Sequence, residues 1–208
     1  MQPAAWGSGS GGSASLPPGR SPCHAEIDGR ENAQVSDRAA LPYRSNVGIA
    51  LFNARGQVLI ARRLRDEGPE TILPGFEWQM PQGGINPDED HETAARRELW
   101  EETGVTKVQV LDRTDAWLRY DFPPYEGPPH KLAAFRGQQQ IWFAMRFLGQ
   151  DGDIDVAGGH NGAEPEFSSW RWESLQAAVD LVVPFRREVY RAVAEAFERF
   201  TRPDGRSL

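Results

Sequence analysis

The chain has a single cysteine, Cys23, so an internal disulfide is excluded and a reducing, cytoplasmic setting fits. Long apolar runs are missing as well. No stretch approaches the roughly 18 consecutive apolar residues of a membrane-spanning helix, and no apolar core of a secretory signal stands near the N-terminus. Basic excess is also lacking. Lys and Arg total 23 against 30 Asp and Glu, a net charge of −7. No global positive field therefore draws the protein to nucleic acid, and any RNA contact requires a local patch. Internal repeats are absent. What is present is 208 residues, 39% hydrophobic, with seven Trp and ten Phe, enough for one domain with a substantial core.

Residues 1–41, rich in Gly, Ser, Ala and Pro, show no sustained apolar period and are expected to form a disordered tail. Trp6 and Cys23 lie within it and take no role. Residues 43–53 and 57–64 are apolar and β-branched around Ala54-Arg55-Gly56, which predicts a hairpin. Residues 65–76 hold two Pro and two Gly and are expected as a surface loop or insertion. A short strand follows at 77–80, then a helix over residues 90–103. Strand patterns recur at 107–118, 138–148 and 167–173, with a long Pro-rich loop at 121–137. Phe185, Val189, Val193, Phe197 and Phe200 recur every three to four residues and predict a helix over 184–201 packed on the core. Strands with one central and one terminal helix point to an α/β fold, a mixed sheet between helices.

Residues 83–105, GGINPDEDHETAARRELWEETGV, organise the rest. Gly83-Gly84 begins a turn, and a polar loop runs to Glu89. Asp90 can accept from the free N–H groups of the helix's first turn. Gly104 can end the helix in the left-handed conformation. Glu98, Glu101 and Glu102 are three and four residues apart and share a face, where like charges destabilise a helix by roughly 0.2–0.5 kcal/mol per pair. A solvated acidic face is the bland account. Arg96, Arg97 and Leu99 among the acids argue against it, because a hard divalent cation such as Mg²⁺ turns that repulsion into coordination.

The spacing Gly83, Glu89, Arg97-Glu98-Leu99, Glu101-Glu102, Gly104-Val105 resembles the Nudix box, with every fixed position filled. The resemblance implies an α/β/α sandwich with a mixed sheet, a catalytic loop-helix-loop and a long C-terminal helix. The domain would span residues 42–203, with 204–208 a short C-terminal tail. It implies hydrolysis of a diphosphate linkage, with Glu98, Glu101 and Glu102 as ligands of Mg²⁺, Mn²⁺ or another divalent cation. Glu101 would also assist proton removal from the attacking water. Glu89 and Arg97 would pair and hold loop against helix, and Gly83 would allow the tight turn. Glu166, in Pro165-Glu166-Phe167, would be a further catalytic, metal-binding carboxylate, against the reading of an ordinary surface acid.

Beyond the box, YRSNVGIALFN, WQMPQGGIN, WLRYDFPP, GQQQIWF, PEFSSWRW and VPFRREVYRAV resemble the bacterial RNA pyrophosphohydrolases, over roughly residues 42–201. That resemblance implies removal of pyrophosphate from 5′-triphosphorylated RNA, leaving a monophosphate end and promoting RNA decay. The alternatives are a diadenosine tetraphosphate hydrolase and a Nudix domain that binds nucleotides or RNA without turnover. Retention of every box glutamate weighs against the last. Arg44, Arg63, Arg186 and Arg187 are candidate cations for the phosphates. Arg63 and Phe185 occupy positions that sandwich a base in those enzymes, where stacking contributes about 1–3 kcal/mol per base. Against solvated arginines and a core phenylalanine, these are the functional readings. The sequence departs from the pattern at Ser45 (proline in relatives), at Gln139 and Ile141 (often lysine), at Arg186 (often lysine) and in the 65–76 insertion.

Overall fold

A computed structural model describes residues 38–66, 68–162 and 164–203. The tail expected over 1–41 lies outside these residues up to position 37, as does the short tail at 204–208. Order begins before residue 42, since Arg38 Nη2 donates to the Phe122 and Pro123 carbonyls at 2.5 and 2.9 Å.

Strand β1 (Tyr43–Phe52) forms an antiparallel hairpin with β2 (Val58–Arg63). Asn53 fixes the turn, its Oδ1 accepting from the backbone N–H groups of Arg55 (2.9 Å) and Gln57 (3.0 Å). Gly56 sits at φ 78°, a conformation that favours glycine. Strands β3 (Trp78–Gln79) and β4 (Gln82–Gly84) follow and pair with β2 and β1 respectively. Helix α1 (His91–Thr103) starts where expected, with Asp90 accepting from the Glu92 and Thr93 N–H groups at 3.1 Å each. It ends at Gly104, φ 69°, whose N–H bonds the Trp100 carbonyl at 2.8 Å.

The single strand expected at 107–118 is two strands, β5 (Val108–Arg113) and β6 (Leu118–Asp121). A bulge between Val110 and Asp112 shifts the register, and both pieces pair in succession along β7 (Gly137–Phe147). After β8 (Phe167–Glu173) comes a helix that the sequence reading missed, α2 (Leu175–Leu181). Ser174 caps it by accepting from Ala177 N–H at 3.1 Å, and Leu175, Ala178 and Val179 form its buried face. The C-terminal helix is a 3₁₀ turn at Pro184–Arg186, helix α3 (Arg187–Phe197) and a second 3₁₀ turn at Glu198–Phe200.

Among the described residues, eight strands form one mixed sheet with central order β3-β2-β1-β7-β5, in which β1 and β7 run parallel. Alternation along β1 sends Val47, Ile49 and Leu51 to one face, against Leu99 and Ala95 of α1. Ala50 and Phe52 go to the other, against Val193 and Phe197 of α3. Phe185 and Phe200 pack on that second core partly buried. The sheet thus lies between helices, and the even-numbered face of β1 and β7 runs out at one end into polar residues, where a cleft opens. No helix among the described residues is long and apolar enough to cross a membrane.

Candidate active site

Helix α1 presents its acids at this cleft. Glu102 lies on the buried side with Ala95 and Leu99, and is 8% exposed. Its Oε2 accepts from the Gln82 N–H at 3.1 Å, while Oε1 has no hydrogen-bond partner. Burial, with the Glu166 and Glu98 carboxylates beside it, pushes its carboxyl well above the usual range. Burial also raises Glu98, against the opposing pull of Arg97.

Arg97 ties the region together through all five of its N–H groups. Nε and Nη2 form a two-bond pair with Glu89 at 2.8 Å each, and Nη2 also donates to the Gly84 carbonyl at 2.8 Å. Nη1 reaches Glu98 at 2.7 Å and Glu101 at 3.2 Å. This pairing holds the Glu89 carboxyl below its ordinary value. Gly83 lies within β4 and not in the expected turn, and the Glu98 carboxylate occupies the place where a Cβ would project, so a larger residue there displaces that side chain.

Two adjoining cavities share Glu98 and Glu166 as walls. The acidic one, about 50 Å³, adds Glu101 and Glu102. The other, about 170 Å³, adds Arg44, Arg63, Lys131 and Arg186, together with Asn46 and Glu70. A larger hollow of about 660 Å³, walled by α2, α3 and the β1–β2 turn, shares no residue with either. The expected acids and three of the four expected arginines therefore come together. Arg187 does not line the cavity and lies over the Phe76 ring at 5.7 Å. Phe185 is outside the lining too, its ring 5.7 Å from that of Tyr120.

The 65–76 segment differs most from expectation. It is not wholly a surface loop, because it carries Glu70 inward to 3% exposure. Glu70 Oε1 accepts from Tyr120 OH (2.5 Å) and Gln138 Nε2 (2.9 Å) and lies 2.6 Å from Arg186 Nη2. Arg186, 1% exposed, also donates through Nη1 to Gln79 at 2.7 Å. The guanidinium beside Glu70 holds that carboxyl below its ordinary value even though burial pushes the other way. Lys131 comes from a 3₁₀ turn inside the Pro-rich loop, anchored by buried Leu132. The departures at Gln139 and Ile141 fall on the odd face of β7. Gln139 Nε2 donates to Ser45 Oγ at 3.0 Å, and Ile141 is in the core against α1.

The donor set fits a hard divalent cation, since every candidate ligand is a carboxylate and Glu102 Oε1 is buried without a partner. Among the described residues no three acids stand as a ready-made ligand cage. Arg97 occupies one oxygen of Glu98 and one of Glu101.

An acidic helix facing a row of cations across one cleft, on a mixed sheet between helices, is an architecture for handling polyphosphates. The NUDIX domain profile matches residues 42–193. The chain is 47% identical over 163 residues to an RNA pyrophosphohydrolase of Caulobacter vibrioides strain NA1000 / CB15N, covering 78% of this chain and 90% of that one. It is 49% identical over 171 residues to an RNA pyrophosphohydrolase of Acidiphilium cryptum, covering 82% and 99%. Among solved structures, a C. elegans Ap4A hydrolase binary complex aligns with a TM-score of 0.51 at 16% identity, over 75% of this chain and 98% of that one. The MutT protein of Methanosarcina mazei aligns with a TM-score of 0.51 at 21% identity, over 77% and 96%. These two show the shared fold. The chain belongs to the Nudix family.

Gly83→Ala is expected to displace the Glu98 carboxylate. A shift of about 1 Å at such a group costs roughly 10²-fold in rate. Hydrolytic turnover, measured beside a circular dichroism melt, should fall by that much while the variant remains folded.

Proposed function

We propose that the protein is a cytoplasmic, Mg²⁺-dependent RNA 5′-pyrophosphohydrolase, which releases pyrophosphate from 5′-triphosphorylated RNA and leaves a monophosphate end. The observation that carries this reading is the shared wall of Glu98 and Glu166, which joins an acidic cavity to one lined by Arg44, Arg63 and Lys131. The relatives named RNA pyrophosphohydrolase, matched over nearly their whole length, support the substrate class.

Glu98, Glu101, Glu102 and Glu166 would hold the cation, with Mn²⁺ or another divalent ion as a substitute. Bound there, it supplies charge neutralisation at the phosphates and a lowered pKa for water. The remaining work belongs to the chain itself. Arg44 and Lys131 hold and orient the phosphates from the other wall. Glu101, the most exposed of the box acids on α1, accepts a proton from the attacking water. Arg97 keeps loop and helix in place through Glu89. Arg63 and Phe185 are assigned to sandwich one base outside the phosphate cavity, whose lining Phe185 does not join, and Arg186, neutralised by Glu70, shapes the floor.

The test is a product assay with Mg²⁺. Triphosphorylated RNA should yield pyrophosphate and a monophosphate end, with a higher kcat/KM than diadenosine tetraphosphate. No release from RNA would reject the proposal, and a strong preference for the dinucleotide would replace it with a dinucleoside polyphosphate hydrolase.

A further inference from the structure

A chain of paired amides runs beside the cationic cavity, and Gln82 and Gln138 of that chain line it. Gln140 Oε1 accepts from Trp142 Nε1 at 2.9 Å, and Gln140 Nε2 donates to Gln82 at 2.8 Å and Gln138 at 3.0 Å. Gln138 in turn donates to Glu70. Asn46 sits beside this chain, in register with Gln140 on one side and Gly84 on the other. It is 1% exposed and lines the cavity, yet neither its Nδ2 nor its Oδ1 has a hydrogen-bond partner among the described residues. Buried amides are almost always paired, and an unpaired one opposes folding. Gln140 and Gln138 spend their amides on Trp142, Gln82, Glu70 and each other, and none of these bonds reaches Asn46.

The geometry points to Asn46 as a substrate-contacting, specificity-determining residue, whose Nδ2 donates to a non-bridging phosphate oxygen of the polyphosphate. Three features favour phosphate over base. Asn46 shares its strand face with Arg44, two residues away, whose guanidinium lies against Gly84. Glu98, proposed above as a ligand of the cation that would neutralise the phosphates, lies against Gly83 in the strand paired with β1. The cavity lining is polar throughout, with no flat ring to hold a base. Phosphate oxygens only accept, so they answer Nδ2, and Oδ1 takes a hydrogen from a water or a sugar hydroxyl. The role rests on the reading of the site as a polyphosphate cleft.

The experiment compares wild type, Asn46→Ala and Asn46→Asp in three measurements: kcat/KM on triphosphorylated RNA, calorimetric binding of inorganic tripolyphosphate, and thermal midpoint. Loss of a hydrogen bond to a charged group corresponds to about a ten- to hundredfold effect. Asn46→Ala should lower kcat/KM and weaken tripolyphosphate by that factor. Asn46→Asp, which adds repulsion, should lower both further. The midpoint of Asn46→Ala should stay level or rise, because a stranded amide has been removed. Activity and tripolyphosphate affinity within twofold of wild type would overturn the assignment. So would a lost midpoint with unchanged tripolyphosphate binding, which is what a structural amide gives. Tripolyphosphate binding needs no turnover and separates the two claims. A wild type inactive on both RNA and dinucleotide sinks the parent reading, whereas tripolyphosphate binding lost only in the variants still supports Asn46.

Discussion

Glu102→Gln is expected to lower turnover about 10³-fold while leaving the protein folded and no less stable. The metal site is asked for several kcal/mol of transition-state stabilisation, and each 1.4 kcal/mol is about tenfold. Glutamine keeps the length of the side chain and can still accept from the Gln82 N–H. What it removes is a buried negative charge set against Glu98 and Glu166. In metal-free buffer the variant should therefore melt at or above the wild-type temperature. Saturating Mg²⁺ should raise the wild-type midpoint by linkage and shift the variant far less. Titrating Mg²⁺ in a melting assay alongside the product assay checks both halves. Undiminished turnover in the variant would remove Glu102 from the metal site.

The second large effect is on stability and comes from Glu70→Ala. This change leaves the Arg186 guanidinium buried without its carboxylate and strips Tyr120 and Gln138 of their shared acceptor. Breaking one side of a buried ion pair costs about 3–5 kcal/mol. For a domain of this size that is a fall of roughly 10 °C in melting midpoint. The cost belongs to the stranded charge more than to the lost attraction. Glu70→Leu combined with Arg186→Met should accordingly recover most of the stability that either single change loses, measured by urea unfolding. A double variant no more stable than Glu70→Ala would show that the ion pair itself holds the loop.

What was legible in the sequence was local. Asp90, Gly104 and the glutamate spacing define α1 within the one stretch 90–104, and the structure places cap, stop and acids accordingly. The hairpin at 54–56 and the apolar stripe from Val189 to Phe197 were readable for the same reason. Helix α2 is also local, written in Ser174 and the 175/178/179 spacing, but it is too short to stand out beside the longer pattern that follows. Glu70 was not legible. It stands in a Pro- and Gly-containing segment that reads as solvent-facing, and its partners Tyr120 and Gln138 lie 50 and 68 residues downstream. Lys131 and Asn46 are similar cases, since only tertiary packing brings the Pro-rich loop and the start of β1 to one cavity. The 107–118 stretch breaks after Arg113, and the bulge inside β5 between Val110 and Asp112 leaves little trace in hydrophobic alternation.

The parallel pairing of β1 with β7 sets the order in which the cleft can be built. Tyr43 is matched with Gly137 and the register runs unbroken to Phe52 and Arg146. On a ribosome adding about 5–20 residues per second, the first strand waits roughly 5–20 s for its central neighbour to be synthesised. Before that neighbour emerges, the nascent chain has completed the glutamate helix without the strand that forms the other half of its groove. The last helical segment, which brings in Arg186, closes the floor of a site begun more than a hundred residues earlier.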